Sequence, residues 1–264
     1  MHRERLMQVN EEFRKEYNVS YMTLYGAQNY NMDIYSDGYQ SDFDYKAIII
    51  PSLDDLVSND KPLSKVIDIE NGQIDVKDIR VFFATLMKCN PAYVECLMSK
   101  NWVGEDMFLE IRKLMPQFVW EMRDHFIKAC YGMICEKHKA LQHPYPTLIE
   151  KIEKFGYDPK QLHHMLRIEK MMNDFKDTGK VVLVPNNVEF LIEVKKGSFS
   201  CVDAVEEARA CRQRASELTD DLMNEYREQE RTSDAVEKIR SLGKEITSTR
   251  IKEKILMEAG NGSN

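Results

Sequence analysis

The hydrophobic pattern changes period near residue 79, and that change constrains the architecture more than any other feature. Upstream, apolar residues come in short β-branched or aromatic runs. Val19–Tyr25 (VSYMTLY) ends at Gly26, and Ala47–Ile50 ends at Pro51. Lys65–Glu70 and Gln73–Val76 flank an Asn71-Gly72 turn. Such runs, bounded by glycine, proline and asparagine, predict strands, and Asn-Gly between two of them predicts a hairpin. Downstream, Ile79, Phe82, Phe83, Leu86 and Met87 recur at spacings of three and four, the period of an amphipathic helix. The chain therefore reads as α+β: a small mixed sheet over residues 1–78, followed by an α-helical domain over 79–264. No Gly/Ser linker separates the two, so close packing is expected.

Further elements follow from the same rules. His2–Tyr17 reads as an amphipathic helix, Asn29–Gln40 as a loop and Asp54–Pro62 as a polar connection. Ala92–Met98 begins a helix after Asn90-Pro91. Phe108–Met115 and Phe118–Leu141 read as two helices separated by Pro116, and His143-Pro144-Tyr145-Pro146 as a rigid turn. Leu148–Phe155 ends at Gly156, and Pro159–Phe175 starts on Asp158 as N-cap. Val181–Pro185 reads as a short strand, and Asn187–Val194 fits either state. Ser200–Glu230 and Ser233–Met257 are charged amphipathic helices, packing as a hairpin or offering a homodimer or partner surface. Glu258–Asn264 reads as a frayed end.

With 37 Lys+Arg against 44 Asp+Glu, the net charge is −7. That argues against a wholly basic nucleic-acid-binding surface, while leaving room for a local basic groove. No stretch reaches the roughly 18–20 apolar residues of a membrane span, and the charged N-terminus has no signal-peptide core. The reading is cytoplasmic, without a membrane partner. The six cysteines lie mostly in helical patterns and read as reduced thiols. Cys130, Cys135 and His138 lack a second ligand pair at zinc spacing.

The chemistry-bearing segment is Ser41-Asp42-Phe43-Asp44, directly ahead of the Ala47–Ile50 run. Residues two apart on a strand share a face, so Asp42 and Asp44 present adjacent carboxylates. Such a pair repels unless a cation lies between its members, and hard divalent metals take oxygen ligands of this kind. Asp75 lies on the following hairpin. If its strand pairs beside Asp42–Ile50, three carboxylates converge, enough to hold two ions about 3.5–4 Å apart. Asp-x-Asp alone is more often a solvated strand end, and it is the ordered series of features around it that gives it weight.

The order of these features carries a resemblance. Tyr25-Gly26-Ala27-Gln28-Asn29-Tyr30, then Ser41-Asp42-Phe43-Asp44-Tyr45-Lys46-Ala47, resembles the polymerase-β-like nucleotidyltransferase superfamily, whose pattern is Gly-Ser after a strand, Asp-x-Asp, and a third Asp on a neighbouring strand. Gln73–Arg80, Cys89-Asn90-Pro91 and Phe155–Arg167 are similar to a bacterial and phage branch grouped as an RNA-repair polymerase-β-like family. The resemblance covers roughly Val19 to Arg167.

It implies transfer of a nucleoside monophosphate from an NTP such as ATP to an acceptor hydroxyl, with two Mg²⁺ or Mn²⁺ ions and release of pyrophosphate. The acceptor would be an RNA end, a protein side chain or a small molecule, in a bacterial cell or a phage-infected host. Gly26 and Ala27 would form the phosphate-cradling turn. Asp42 and Asp44 would bind metal, and Asp75 would be the third acid, orienting or deprotonating the acceptor hydroxyl. Ala27 departs from the family's serine and removes one phosphate hydrogen bond, on the order of 1–3 kcal/mol. That departure motivates a second reading, a weakened nucleotidyltransferase-fold module that acts by binding a protein partner.

Two basic groups complete the candidates. Lys46 and Lys77 sit two residues beyond Asp44 and Asp75, on the same strand faces; they touch phosphate or are solvated. Lys160, His164 and Arg167 share a helix face. That stripe suits a triphosphate or a nucleic-acid backbone, or is a solvated face with one core histidine.

Overall fold

The computed structural model describes residues 2–33, 40–58, 61–143, 145, 149–230 and 232–261, with side chains up to residue 257. Its secondary structure is mixed, as the change of period predicts. Among the described residues there are five strands and eleven α-helices. Residues 34–39 of the Asn29–Gln40 loop, much of the turn around His143 and the last three residues fall outside them.

The chain forms two compact units. The first contains residues 1–29, 40–121 and 233–264, so the sheet shares its unit with helices from well beyond residue 78. Its strands are β1 (Val19–Tyr25), β2 (Phe43–Ile49), β3 (Ser64–Ile69), β4 (Gly72–Asp78) and β5 (Trp102–Gly104), in the order β3-β4-β2-β1-β5. The β3–β4 hairpin turns at Asn71, whose φ of 60° is one that Asn tolerates. Strand β4 pairs with β2 in parallel, and β1 pairs with β2 antiparallel.

Alternation along these strands sorts their side chains onto two faces. One face is apolar. Met22, Leu24, Phe43, Tyr45, Ala47, Ile49, Ile74 and Val76 are buried there with Leu6 and Phe13 of α1 (His2–Phe13). The opposite face carries Tyr21, Thr23 and Tyr25 of β1, Asp44 and Lys46 of β2, and Gln73, Asp75 and Lys77 of β4. Helix α4 (Pro91–Met98) lies over this polar face, and the Tyr21 hydroxyl donates to the Cys96 carbonyl at 3.0 Å.

The remaining helices of this unit are α2 (Leu53–Val57), α3 (Ile79–Leu86), α5 (Asp106–Glu121) and α11 (Asp234–Asn261). The stretch read as a polar connection thus contains a helical turn, because Ser52 and Asp55 form a capping box. Helix α5 runs through Pro116 and ends at Glu121. A proline inside a helix costs about 3 kcal/mol. Here Phe108, Ile111, Met115, Phe118 and Val119 are buried along one face on both sides of it, and that burial outweighs the lost hydrogen bond. Helix α11 runs on to Asn261 instead of fraying at 258, and its N-terminus is anchored by α5. The Glu121 carboxylate accepts from the Ala235 and Val236 backbone N–H groups at 3.2 and 2.9 Å.

The second unit, residues 30–39 and 122–232, contains α6 (Arg123–Ala140), α7 (Ile149–Phe155), α8 (Pro159–Thr178), α9 (Val188–Lys196) and α10 (Cys201–Arg227). Val181–Pro185 is irregular rather than a strand. Five residues bounded by Gly179 and the α9 N-terminus offer no neighbouring strand to pair with. Ala204, Ala208, Cys211 and Ala215 form a buried small-residue stripe on α10, which lets α6 and α8 approach closely. Arg214 of α10 grips Glu169 of α8 through two hydrogen bonds, of 2.6 and 2.9 Å. The two long C-terminal helices thus belong to different units. All six cysteines are free thiols, and no described helix is long and apolar enough to cross a membrane.

Candidate functional site

Strand β1 delivers its chain straight into the Gly26 turn. After Tyr25 the backbone enters a 3-10 turn, Gly26–Asn29, with φ of +74° at Gly26. Such a φ is costly for any residue with a Cβ. A Cβ at position 26 would also lie 2.9 Å from Asp44 Oδ2, so that the carboxylate would have to shift. The turn is tied to the acidic segment through Gln28, whose Nε2 donates to the Asp42 carbonyl at 2.8 Å. Turn and Asp-x-Asp segment are thereby held together, although fourteen residues separate Gln28 from Asp42.

Asp44 is half-buried, and its Oδ1 accepts from Gln73 Nε2 at 2.8 Å. The parallel register sets this contact, since Asp44 is directly opposite Gln73. Asp42 precedes β2 and is exposed. The start of β2 is fixed by Gly72, where a Cβ would be 2.0 Å from the Phe43 carbonyl oxygen. Only glycine allows β4 to come this close beside the two acids.

The same register places Asp75 opposite Lys46, and the two form a buried ion pair. Lys77 Nζ meets the other Asp75 oxygen at 2.9 Å and donates to Ser64 Oγ at 2.6 Å. Lys46 is 4% exposed, and its ammonium lies 4.9 Å from the ring centres of both Tyr25 and Tyr93. Burial opposes its charge, but Cys96, Asp75 and Tyr25 outweigh burial and hold the amine above the usual lysine value. Burial pushes the Cys96 thiol up to about 12, so at neutral pH it is an uncharged neighbour of Lys46. Burial likewise raises the Tyr25 hydroxyl.

The structure therefore sets Gly26 and Asp44 at the start of β2, with Asp42 and Ala27 on the adjoining chain, and spreads Lys46, Asp75 and Lys77 further along the same polar face. Among the described residues, no three His, Cys, Asp or Glu side chains are grouped so as to hold a metal ion. Asp75 lies between two ammonium groups: its Oδ2 accepts a hydrogen bond from Lys46, and its Oδ1 faces Lys77 as an ion pair without hydrogen-bond geometry. Two grooves of this unit lie elsewhere. One, of about 520 Å³, is lined by Phe83, Met87 and Gly243, and another, of about 1050 Å³, by Phe13, Lys65 and Ile67.

Lys160, His164 and Arg167 are in the second unit. Asp158 caps α8 as its sequence predicts, accepting from Lys160 N at 3.0 Å. Lys160 is exposed. Arg167 is buried with its guanidinium 3.9 Å from the centre of the Tyr30 ring. His164 is kept neutral, first by burial and then by His163, Arg167, Lys160 and Lys137. The neighbouring His163, outside the stripe, is buried and donates from Nδ1 to the Leu191 carbonyl at 2.8 Å.

Sequence reasoning missed Gln73, Tyr25, Tyr93 and Gly72. Gln73 stands two residues before Asp75 and so shares its face, and Tyr25 directly precedes Gly26. Nothing local marks Tyr93, which reaches the site from α4.

Comparison with solved structures finds a nucleotidyltransferase-like protein from Exiguobacterium sibiricum 255-15. It is 11% identical, the match covers 81% of this chain and 73% of that one, and the TM-score is 0.30. The likeness is slight, and the α+β architecture is read from the sheet and helices themselves. No protein-family model matches the chain, and no curated protein does.

Proposed function

We propose that this chain is a metal-dependent nucleotidyltransferase that moves a nucleoside monophosphate from an NTP to an acceptor hydroxyl, an RNA end being favoured. The observation that carries the reading is the close approach of the Gly26 turn to the Asp44 carboxylate, with Gln28 of the turn bonded to the Asp42 carbonyl. Asp42 and Asp44 would hold a divalent ion such as Mg²⁺ or Mn²⁺, which when bound neutralises charge developing on the phosphates. Backbone N–H groups of the turn would receive phosphate oxygens, and Asp75 would orient the acceptor hydroxyl. In-line transfer of this kind needs positioning and charge rather than a covalent enzyme intermediate. On the second unit, the Lys160–His164–Arg167 stripe is the proposed polyanion contact. Lys160 supplies the exposed charge there, and neutral His164 a hydrogen bond.

The test is incubation with Mg²⁺ and each labelled NTP, scoring pyrophosphate and labelled acceptor. Turnover that is lost in Asp42→Ala and in Asp44→Ala supports the reading. Ala27, which offers no hydroxyl to phosphate, favours a second reading, the partner-binding module. Absence of turnover with every nucleotide and cell-extract acceptor, with partner binding intact in both variants, would favour it instead.

A further inference from the structure

The three-acid pattern implies two divalent ions, but the register of this sheet assigns Asp75 a different cation. Lys46 is directly opposite Asp75 on the parallel partner strand, so the ion pair is set by backbone pairing rather than by a chance rotamer. Lys77 holds the second carboxylate oxygen at 2.9 Å. We propose that the Lys46 ammonium, fixed between Tyr25, Tyr93 and Asp75, takes the place of one of the two ions, so that the centre binds a single divalent cation on Asp42 and Asp44. This rests on the nucleotidyltransferase reading of the site and changes its metal requirement.

The physical case is one of displacement. A divalent ion can reach Asp75 only by driving off ammonium groups. Lys77 has an alternative partner in Ser64. Lys46 is enclosed by two aromatic rings beside the Cys96 thiol, and at 4% exposure it has little access to water in place of the lost carboxylate. Leaving a buried ammonium unpaired is strongly unfavourable. Two ammonium groups beside Asp75 also repel an incoming dication across a poorly screened space. Lys46 is on this account a positioning residue. It holds Asp75 in place and supplies fixed positive charge, without itself contacting the phosphates.

The test is Mn²⁺ binding to the full chain, counted by electron paramagnetic resonance of free Mn²⁺. Wild type is expected to bind one ion, lost in Asp44→Asn. Lys46→Met frees Asp75, and two ions are expected. Asp75→Asn, which does not depend on that variant folding, is expected to leave one ion with affinity within threefold of wild type. Two ions in wild type, one in Lys46→Met with native circular dichroism, or a tenfold loss of affinity in Asp75→Asn would each overturn the assignment of Lys46 while leaving the metal-dependent reading in place. No bound ion in wild type would overturn both.

Discussion

Gly26 and Asp44 are locked together: the backbone at 26 runs so near the carboxylate that even a methyl group would come within 2.9 Å of Oδ2. Gly26→Ala is therefore expected to act twice. The left-handed φ costs about 1–2 kcal/mol, read as a lower urea midpoint. The displaced Asp44 lowers kcat/KM for nucleotide transfer by at least about tenfold, or about 1.4 kcal/mol. A variant as stable and as active as wild type would separate the turn from the acid.

Restoring a hydroxyl at the next position has the opposite sign. Ala27→Ser adds a donor where the superfamily pattern has one, and one phosphate hydrogen bond is on the order of 1–3 kcal/mol. Nucleotide affinity is expected to rise about tenfold, measured by titration calorimetry with a non-hydrolysable NTP. Unchanged affinity would show that position 27 does not face phosphate.

Gly72→Ala tests the seam between β2 and β4. The added carbon would be 2.0 Å from a backbone oxygen, which no side-chain rotation relieves. A loss of at least about 3 kcal/mol is expected, whereas Asp42→Asn, at an exposed position, is expected to change stability by less than about 0.5 kcal/mol. Equal urea midpoints for the two variants would contradict the geometry.

Acid sensitivity is expected from His163. Burial holds it at about 4 in the folded chain, against 6.5 when unperturbed. Between those values the unfolded chain binds a proton that the folded one refuses. Its contribution is thus fully present above pH 6.5 and is lost as pH falls towards 4, by up to about 3 kcal/mol. His164 is shifted the same way and adds to the slope. Denaturation from pH 7 to 4.5 should show a shallower dependence in His163→Gln; identical slopes would refute the assignment.

Glu121→Ala removes the carboxylate that receives two α11 backbone N–H groups. A loss of about 1–3 kcal/mol is expected, with faster amide exchange at Ala235 and Val236 than in Glu121→Gln.

Much of this architecture was legible in the sequence because it is written in local patterns. Val19–Tyr25 forms β1 over the same residues, the Asn71-Gly72 hairpin turns where expected, and Asp158 caps α8. What local patterns miss is decided by tertiary contact. Helix α5 continues through Pro116 because its apolar face is buried on both sides. The Trp102–Gly104 strand is too short to show a period and exists only because β1 offers it an edge. The site divides in the same way. Gly26, Asp42, Asp44 and Asp75 are visible as motif positions, but the pairing of Asp75 with Lys46 depends on a parallel register between strands separated by a hairpin. No spacing rule within either strand reveals it.

The anchoring of α11 on Glu121 has a consequence for synthesis. The unit that carries the acids is built from residues 1–29, 40–121 and 233–264, with residues 122–232 inserted between. Helix α11 can dock on α5 only after residues 122–232 have been made, so the inserted helical unit is free to form while the unit of the sheet still lacks its last helix.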